Sequence, residues 1–272
     1  MHMCSEEKNK VVVRFLGQAG FKITSQDLSI VIDPYFSDSV DRQCSSDGVV
    51  WKRNYTIPYE KKTEYLSGID YVLLSHDHLD HTDPETLIMI RDLSPKAAFA
   101  ASAWFAPRLA KIGIPENRII SLKSGKVCTL AGESGADALI LPVPAAHEEL
   151  HPCEPGGFME LGFIVELCGR RIYHGGDTCV YDGHADIIRN VNLAILPVNG
   201  RDKKRASMNV VGNMNAREAA KLACDSGVGA VIPCHWDLYD NNGETIENII
   251  AAFEQYPDVK YKILKFGECI VL

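Results

Sequence analysis

The stretch Ser75-His76-Asp77-His78-Leu79-Asp80-His81 decides how this chain is interpreted. It follows the apolar run 69–74, whose composition and length predict a buried strand. Three imidazoles and two carboxylates cannot be buried together at low cost, because a desolvated charge or an unpaired imidazole costs free energy unless it is ligated or hydrogen-bonded. A solvated His-rich loop is the alternative, but such tracts seldom adjoin a buried strand. The sequence therefore predicts a divalent-metal site where this strand ends.

The spacing His-x-His-x-Asp-His resembles the signature of the metallo-β-lactamase superfamily. This resemblance implies that a third His, a bridging Asp and a last His follow, each after a strand-like run. His147, Asp177 and His235 meet that requirement, after the runs 138–146, 171–176 and 230–234. The resemblance further implies two adjoining metal sites with Asp177 as the bridge: one of His76, His78 and His147, the other of Asp80, His81 and His235.

The candidate ligands are all nitrogen and oxygen donors, with no cysteine among them. Such a set suits Mn²⁺, Zn²⁺ or Fe²⁺, and we expect one or two divalent metal ions per chain, Mn²⁺ or Zn²⁺. A divalent ion lowers the pKa of bound water to about 7, so metal-bound hydroxide is the expected nucleophile. Asp80 and Asp177 are the expected catalytic residues. The sequence leaves open whether Asp80 ligates the metal or carries the proton.

Four flanking segments are similar to the L-ascorbate-6-phosphate lactonase group of this superfamily: 174–178, 196–202, 212–219 and 233–237. The likeness extends from Gly17-Gln18-Ala19-Gly20 to the C-terminal strand. It implies hydrolysis of a sugar-acid lactone phosphate, so a small phosphorylated sugar acid is the expected partner. Asn199, Arg201 and Asp202 are the predicted substrate-binding residues, because an Arg on a Gly-containing loop can hold a phosphate bidentately while its neighbours fix the guanidinium.

Other residues near these motifs have two interpretations each. Asp33 is either the hydrogen-bond partner of a ligand His or a turn former. Gly175 and Gly176 are expected to let the backbone pass close to the metals. Tyr181, His184 and His151 are weaker candidates for pocket residues.

The order of predicted elements indicates an α/β protein. Two mixed sheets with helices outside suit this order, as in the αββα sandwich that the resemblance implies. We find no repeat, low-complexity tract or linker, and expect one metallo-β-lactamase-fold domain over 1–272. Strands are predicted at 11–16, 21–24, 28–32, 69–74, 97–101, 126–130, 138–143, 160–168, 171–174, 192–197, 229–233, 260–265 and 268–272. Helices are predicted at 84–93, with Asp83 as N-cap, and near 104–111, 215–225 and 244–255.

Composition limits the environment and the partners. The 272 residues carry a net charge of −8, which argues against binding nucleic acid, since phosphate neutralisation needs a dense basic surface. Nine cysteines without a C-x-x-C pair suggest a reducing compartment. The polar N-terminal stretch 1–10 and the lack of an apolar run of about 20 residues predict a soluble, cytoplasmic protein that does not bind membranes. A homo-oligomer is left open.

Three classes of function are consistent with these features. The first is the lactone hydrolase already described. An acyl-homoserine lactone hydrolase is a neighbour of this class, but Arg201 in the pocket would disfavour it, because an acyl chain needs an apolar channel. The second class is a phosphodiesterase that uses the same dinuclear site on a small substrate. The third is a non-catalytic, metal- or ligand-binding member of the fold.

Overall fold

The computed structural model describes residues 10–46, 49–132, 137–154 and 157–272. The prediction for the N-terminal stretch 1–10 therefore lies, apart from Lys10, outside the described residues. The strands in chain order are β1 (Val12–Phe15), β2 (Phe21–Thr24), β3 (Ser29–Ile32), β4 (Tyr71–Leu74), β5 (Ala98–Ser102), β6 (Ile119–Leu122), β7 (Cys128–Leu130), β8 (Ala138–Pro144), β9 (Pro152–Cys153), β10 (Gly157–Phe158), β11 (Leu161–Leu167), β12 (Arg170–His174), β13 (Leu193–Pro197), β14 (Val231–Cys234) and β15 (Cys269–Val271). The helices are α1 (Ser39–Cys44), α2 (Tyr59–Leu66), α3 (Pro84–Leu93), α4 (Leu109–Ile112), α5 (His184–Ile187), α6 (Lys203–Ser207), α7 (Ala216–Ser226) and α8 (Ile246–Phe253).

Most of these strands build two mixed sheets. The first has the order β15-β1-β2-β3-β4-β5-β6, antiparallel from β15 to β3 and parallel from β3 to β6. The second has the order β14-β13-β12-β11-β8-β7, with β12, β13 and β14 parallel and the remaining pairs antiparallel. Strands β9 and β10 form a separate hairpin.

The two large sheets pack face to face. The shared core contains Phe15 and Phe21 from the first sheet and Phe163 and Ile195 from the second. Within β4, Leu73 faces this core while Val72 and Leu74 face the other way, toward α3, because successive side chains of a strand alternate between its faces.

Helices cover both outer faces of the pair of sheets. Leu87 and Ile90 of α3 pack on the first sheet, and Leu222 of α7 and Phe253 of α8 pack on the second. Strands that are covered on both faces must be apolar throughout, as the fully buried β13 is. The αββα sandwich predicted from the sequence is therefore confirmed.

Several element predictions match the structure closely. Helix α3 begins as expected, with Pro84 at its first position and the Asp83 carboxylate accepting the Thr86 backbone N–H at 3.2 Å. Helix α7 begins with a capping box between Asn215 and Glu218. It ends at Gly227, which adopts the left-handed conformation.

One predicted strand is wrong. Segment 260–265 forms only an isolated bridge, in which Tyr261 pairs with Val231 at the edge of β14. The chain then turns inward and buries Leu264 in the shared core, so the ladder does not extend. Strands β6, β9 and β10 and helices α1, α2, α5 and α6 were not predicted, because each is short and has little periodicity of its own. Within the described residues, no helix is both long enough and apolar enough to cross a bilayer.

Candidate metal centre

The candidate ligands all follow the carboxyl ends of strands. The 75–81 stretch follows β4, His147 follows β8, Asp177 follows β12 and His235 follows β14. These ends meet at one edge of the sandwich, so residues separated by up to 159 positions in the chain become neighbours.

Three overlapping groups of donor atoms result, and within each group the donor atoms lie no more than 4.8 Å apart. The structure therefore brings all seven predicted ligands together in one cluster. Their coordination of metal remains a prediction. The groups are His76, His78 and His147; His76, His81 and Asp177; and Asp80, His81 and His235.

The arrangement fits a cation because the buried donor atoms lack partners. Nε2 of His76, His81 and His147 and Oδ1 of Asp177 are buried without a hydrogen bond. Although His81 Nε2 lies 3.2 Å from Asp177 Oδ1, the pair lacks hydrogen-bond geometry. Leaving such atoms unpaired costs about 1–3 kcal/mol each. Divalent ions bound in these groups would give all four atoms a partner.

The imidazoles are held in the tautomer that a cation needs. His81 Nδ1 donates to Asp33 Oδ2 at 2.8 Å, and His76 Nδ1 lies 2.9 Å from Ser75 Oγ, which itself donates to Asp33 Oδ2 at 2.6 Å. Because Ser75 gives its only hydroxyl hydrogen to Asp33, it accepts one from His76. In the neutral form, which a metal ligand must adopt, both rings therefore carry the lone pair on Nε2, and this atom faces the cluster. Of the two interpretations of Asp33, the structure shows the hydrogen-bond partner.

Close backbone packing holds Ser75 in place. Gly176 has φ +60°, and a Cβ at this position would lie 2.8 Å from Ser75 Cβ and 2.9 Å from the Leu161 carbonyl oxygen. Any larger residue would push β4 and β12 apart directly beneath the ligands. Asp33 (φ 46°) and His235 (φ 60°) also adopt left-handed conformations, which are uncommon for residues other than Gly and Asn.

Charge in the cluster is balanced between imidazoles and carboxylates. Burial lowers the pKa of His147 to about 4. Burial also disfavours the charged form of His235, but Asp177 and Asp80 outweigh it and raise the pKa of His235 to about 9. For Asp177, burial opposes ionisation, yet His235 and His81 hold the pKa of its carboxyl well below the usual value. The buried carboxylate thus requires positive charge beside it, and a divalent cation supplies that charge when it displaces imidazole protons.

A cavity of about 350 Å³ opens over the cluster. Five candidate ligands line it, namely His78, Asp80, His147, Asp177 and His235. The other walls are mostly apolar and come from segments that are distant in the sequence; none of the described lining residues is Lys or Arg. They are Val40, Cys44, Trp51, Asp77, Leu79, Met208, Asn209, Val210, Val211, Tyr239 and Asn242. Apart from the ligand-loop residues Asp77 and Leu79, no sequence pattern pointed to these wall residues.

The predicted substrate-binding residues Asn199, Arg201 and Asp202 are not among the described residues that line this cavity. Arg201 makes two hydrogen bonds to Glu218, at 2.7 and 2.9 Å, and a third to the Asn213 carbonyl at 3.0 Å. Asp202 caps α6 by accepting the Arg205 backbone N–H. The guanidinium is therefore held by Glu218 of α7 and by the Asn213 carbonyl.

Asn199 lies behind the cavity wall. It is buried, and its side-chain amide donates to Asn242 Oδ1 at 2.9 Å and accepts from Asn213 Nδ2 at 3.0 Å. Its contribution to the cavity is indirect, because it fixes the side chain of Asn242.

The weaker pocket candidates also lie outside the cavity lining. His184 is buried, hydrogen-bonded to the Tyr173 hydroxyl at 2.9 Å and stacked on Tyr181. Burial lowers the pKa of His184 to about 3, so the ring is neutral. His151 pairs with Glu160 at 3.1 Å.

Replacing Arg201 with Ala should have little effect on any substrate. The Arg201–Glu218 pair is partly exposed, at 40% and 33% of the two side chains, so its loss should lower the free energy of unfolding by about 1 kcal/mol or less. Urea unfolding and hydrolysis of matched lactones, with and without a phosphate, measure the two effects. A selective loss of more than tenfold for the phosphorylated lactone would return Arg201 to the substrate site.

Comparison with known proteins agrees with the geometry. A model of the β-lactamase superfamily domain matches residues 29–236. The chain is 24% identical to a UPF0173 metal-dependent hydrolase of Pyrobaculum neutrophilum, with 96% of this chain and 99% of that protein covered. It is also 24% identical to an uncharacterized protein of Mycobacterium tuberculosis, over 91% of this chain but only 65% of that protein's length.

Among solved structures, the chain resembles Igni18, a metallo hydrolase from the archaeon Ignicoccus hospitalis. The TM-score is 0.71 at 19% identity, and 97% of this chain and 98% of that chain are covered. At this identity the likeness concerns the fold alone. Since the domain model matches well over half of the residues, the chain belongs to the metallo-β-lactamase superfamily.

Proposed function

We propose that this protein is a metal-dependent hydrolase and that it opens a small lactone that carries an apolar substituent. The observation that supports this substrate is the cavity: candidate ligands form one side of it, and the remaining walls are mostly apolar. A volume of about 350 Å³ lies at the lower end of the range for small-molecule sites, so it suits a compact substrate and not a polymer.

Divalent metal bound at this cluster would supply a Lewis acid for the carbonyl and would activate water as the nucleophile. The chain's own residues position the substrate. Trp51, Val210 and Val211 offer an apolar surface for the substituent and exclude water from it. Asp80 and Asp177 are the two candidate ligand carboxylates that line the cavity, so both would lie beside a lactone bound there.

The wall composition does not favour a phosphate on the substrate. A phosphate monoester is recognised through charge-assisted hydrogen bonds from Arg or Lys, and the described cavity lining contains neither. The nearby Arg108 pairs with Asp77 at the rim, which neutralises its charge. An acyl or alkyl group would contact the apolar side chains that it requires. An acylated lactone was disfavoured only if Arg201 lined the pocket, and Arg201 is not among the described lining residues.

A substrate panel tests this proposal. Mn²⁺- and Zn²⁺-loaded protein is assayed with sugar lactones with and without phosphate, with alkyl- and acyl-substituted lactones, and with bis-p-nitrophenyl phosphate. We expect the highest kcat/KM for the substituted lactones. Turnover of the phosphate diester alone would favour a phosphodiesterase, and no turnover at full metal occupancy would favour a binding protein.

A positive charge in the apolar wall should reverse the preference. Val211 is 41% exposed at the cavity, so Val211→Lys introduces an ammonium there without burying it fully. We expect about a tenfold gain in kcat/KM for a phosphorylated lactone and a loss for the alkyl lactone, since a hydrogen bond to a charged group contributes about 1.5–3 kcal/mol. Val180→Lys is the matched control, because Val180 is 46% exposed and lies outside the cavity lining. Equal effects of the two substitutions would mean that the wall does not contact the substrate.

A further inference from the structure

Gln18 occupies an unusually constrained position beside the candidate ligands. It lies in the turn between β1 and β2, is only 1% exposed and has φ +56°, a left-handed conformation. Its backbone N–H donates to Asp237 Oδ1 at 3.0 Å, and its carbonyl accepts the His235 backbone N–H at 2.7 Å. Asp237 is itself held by the Tyr55 hydroxyl at 2.7 Å. These contacts fix the Gln18 backbone relative to His235, on the opposite sheet.

The side chain of Gln18 reaches the second group of candidate ligands. Its Nε2 lies 2.8 Å from Asp80 Oδ2 and 3.2 Å from His235 Nε2. The same Asp80 oxygen lies 3.3 Å from His235 Nε2 and 3.7 Å from His81 Nε2. A carboxylate oxygen has two lone pairs, so Oδ2 can accept the amide hydrogen with one and face a cation between the imidazoles with the other.

Asp80 also determines the orientation of the Gln18 amide. With the amide reversed, Oε1 would face Asp80 Oδ2, and two acceptors would repel each other. In the observed orientation Oε1 is buried without a hydrogen-bond partner among the described residues. A buried carbonyl oxygen left unpaired is unfavourable, so the contact from Nε2 to Asp80 must outweigh that penalty.

We propose that Gln18 is a positioning residue that holds Asp80 as a ligand of the second cation, together with His81 and His235, and leaves the His76, His78 and His147 site unaffected. This inference rests on the two-cation interpretation within the proposed function but not on the identity of the substrate. The side-chain hydrogen bonds of Gln18 within the described part of the chain go to Asp80 and His235, and neither residue belongs to the first group. Of the two roles that the sequence left open for Asp80, the proposal assigns the ligand role, because its Oδ2 lies between an amide donor and two imidazoles.

Metal titration of the metal-free protein, with no substrate present, tests the proposal. Gln18→Met keeps the size of the side chain but removes the donor. Gln18→Asn suits the left-handed backbone but is one methylene too short to reach Asp80. In calorimetric titrations with Mn²⁺, we expect two equivalents for the wild type. In both variants the first equivalent should bind with unchanged affinity, and the second should bind about 10–100-fold more weakly than in the wild type.

Gln255→Met is the matched control, because the Gln255 amide contacts only a carbonyl at the exposed end of α8. Unchanged binding of both equivalents in the Gln18 variants would overturn the proposal, as would equal weakening of both. A wild type that takes up one equivalent would overturn the two-cation interpretation itself. Neither result depends on whether a lactone is hydrolysed.

A measurement on the wild type covers the case in which the Gln18 variants do not fold. The chain has four glutamines, so side-chain ¹⁵N labelling of glutamine gives four amide signals, and substitution of Gln26, Gln43 and Gln255 assigns the fourth to Gln18. In a Zn²⁺ titration we expect the Gln18 amide signal to shift with the second equivalent. A shift complete at the first equivalent, or no shift, would contradict the proposal.

Discussion

Asp177→Ala is expected to abolish both hydrolysis and metal retention. Its Oδ1 lies 3.2 Å from His81 Nε2, and its Oδ2 lies 3.4 Å from His235 Nε2 and 3.6 Å from His147 Nε2. The carboxylate thus faces imidazoles of both candidate sites and would neutralise charge in both. Loss of a partner that orients and neutralises the ligands typically costs 10–100-fold or more in metal affinity, and a shared carboxylate affects both sites together.

Elemental analysis after dialysis, combined with lactone hydrolysis, checks this prediction. Asp186→Ala is the control, because the Asp186 side chain is 76% exposed and pairs only with Arg189 on the surface. An inactive Asp177→Ala protein that keeps its full metal content would assign Asp177 to catalysis alone. An active one would remove Asp177 from the centre.

Asp33→Ala should produce the largest loss of stability. The buried carboxylate accepts hydrogen bonds from the Ser75 backbone N–H at 2.8 Å, from the Ser75 hydroxyl and from His81 Nδ1. Removing the carboxylate leaves these three buried donors without an acceptor, and one of them belongs to the His81 imidazole, which carries positive charge in the metal-free protein. We therefore expect a loss of about 3–5 kcal/mol in the free energy of unfolding. Urea unfolding of the metal-free protein measures this loss.

Asp33→Asn separates shape from hydrogen bonding. The amide fills the same space, but its NH₂ group would face the Ser75 hydroxyl and His81 Nδ1, so His81 would lose the acceptor that fixes its tautomer. We expect weaker metal binding with a smaller loss of stability than in the Ala variant. Asp92→Ala, which removes an exposed partner of Arg91, is the surface control. Wild-type metal affinity in Asp33→Asn would mean that the orientation of His81 does not depend on this contact.

The candidate ligands could be found in the sequence because the relevant information is local. His76, His78, Asp80 and His81 directly follow an apolar run, and the family resemblance then singled out His147, Asp177 and His235, each also after such a run. Four of the seven lie within one loop, 76–81, so their proximity hardly depends on the rest of the fold. The starts of α3 and α7 also depend on local sequence, because the N-caps Asp83 and Asn215 each bond a residue three positions further along.

Arg201 shows where local information is insufficient. A Gly-containing loop after β13 is a reasonable place for a phosphate-binding Arg, and nothing within the loop contradicts this interpretation. The guanidinium instead meets Glu218, 17 positions further along, because the β13 loop and the start of α7 lie side by side. The direction in which a long side chain points depends on which partner the fold brings near it, and the sequence pattern carries no record of that partner.

The sequence by itself indicated an α/β protein and a metal-binding stretch at 75–81, because apolar periodicity and donors at a strand end are properties of short segments, and the family resemblance of its motifs supplied the αββα architecture and the remaining candidate ligands. Only the tertiary structure decided the character of the cavity. Its walls come from α1, from the loop around Trp51, from residues 208–211 and from the segment after His235. Each of these segments mixes polar and apolar residues, and none of them stands out in the sequence. Packing around the centre brings their apolar side chains together, and the apolar lactone that we propose as substrate rests on that placement.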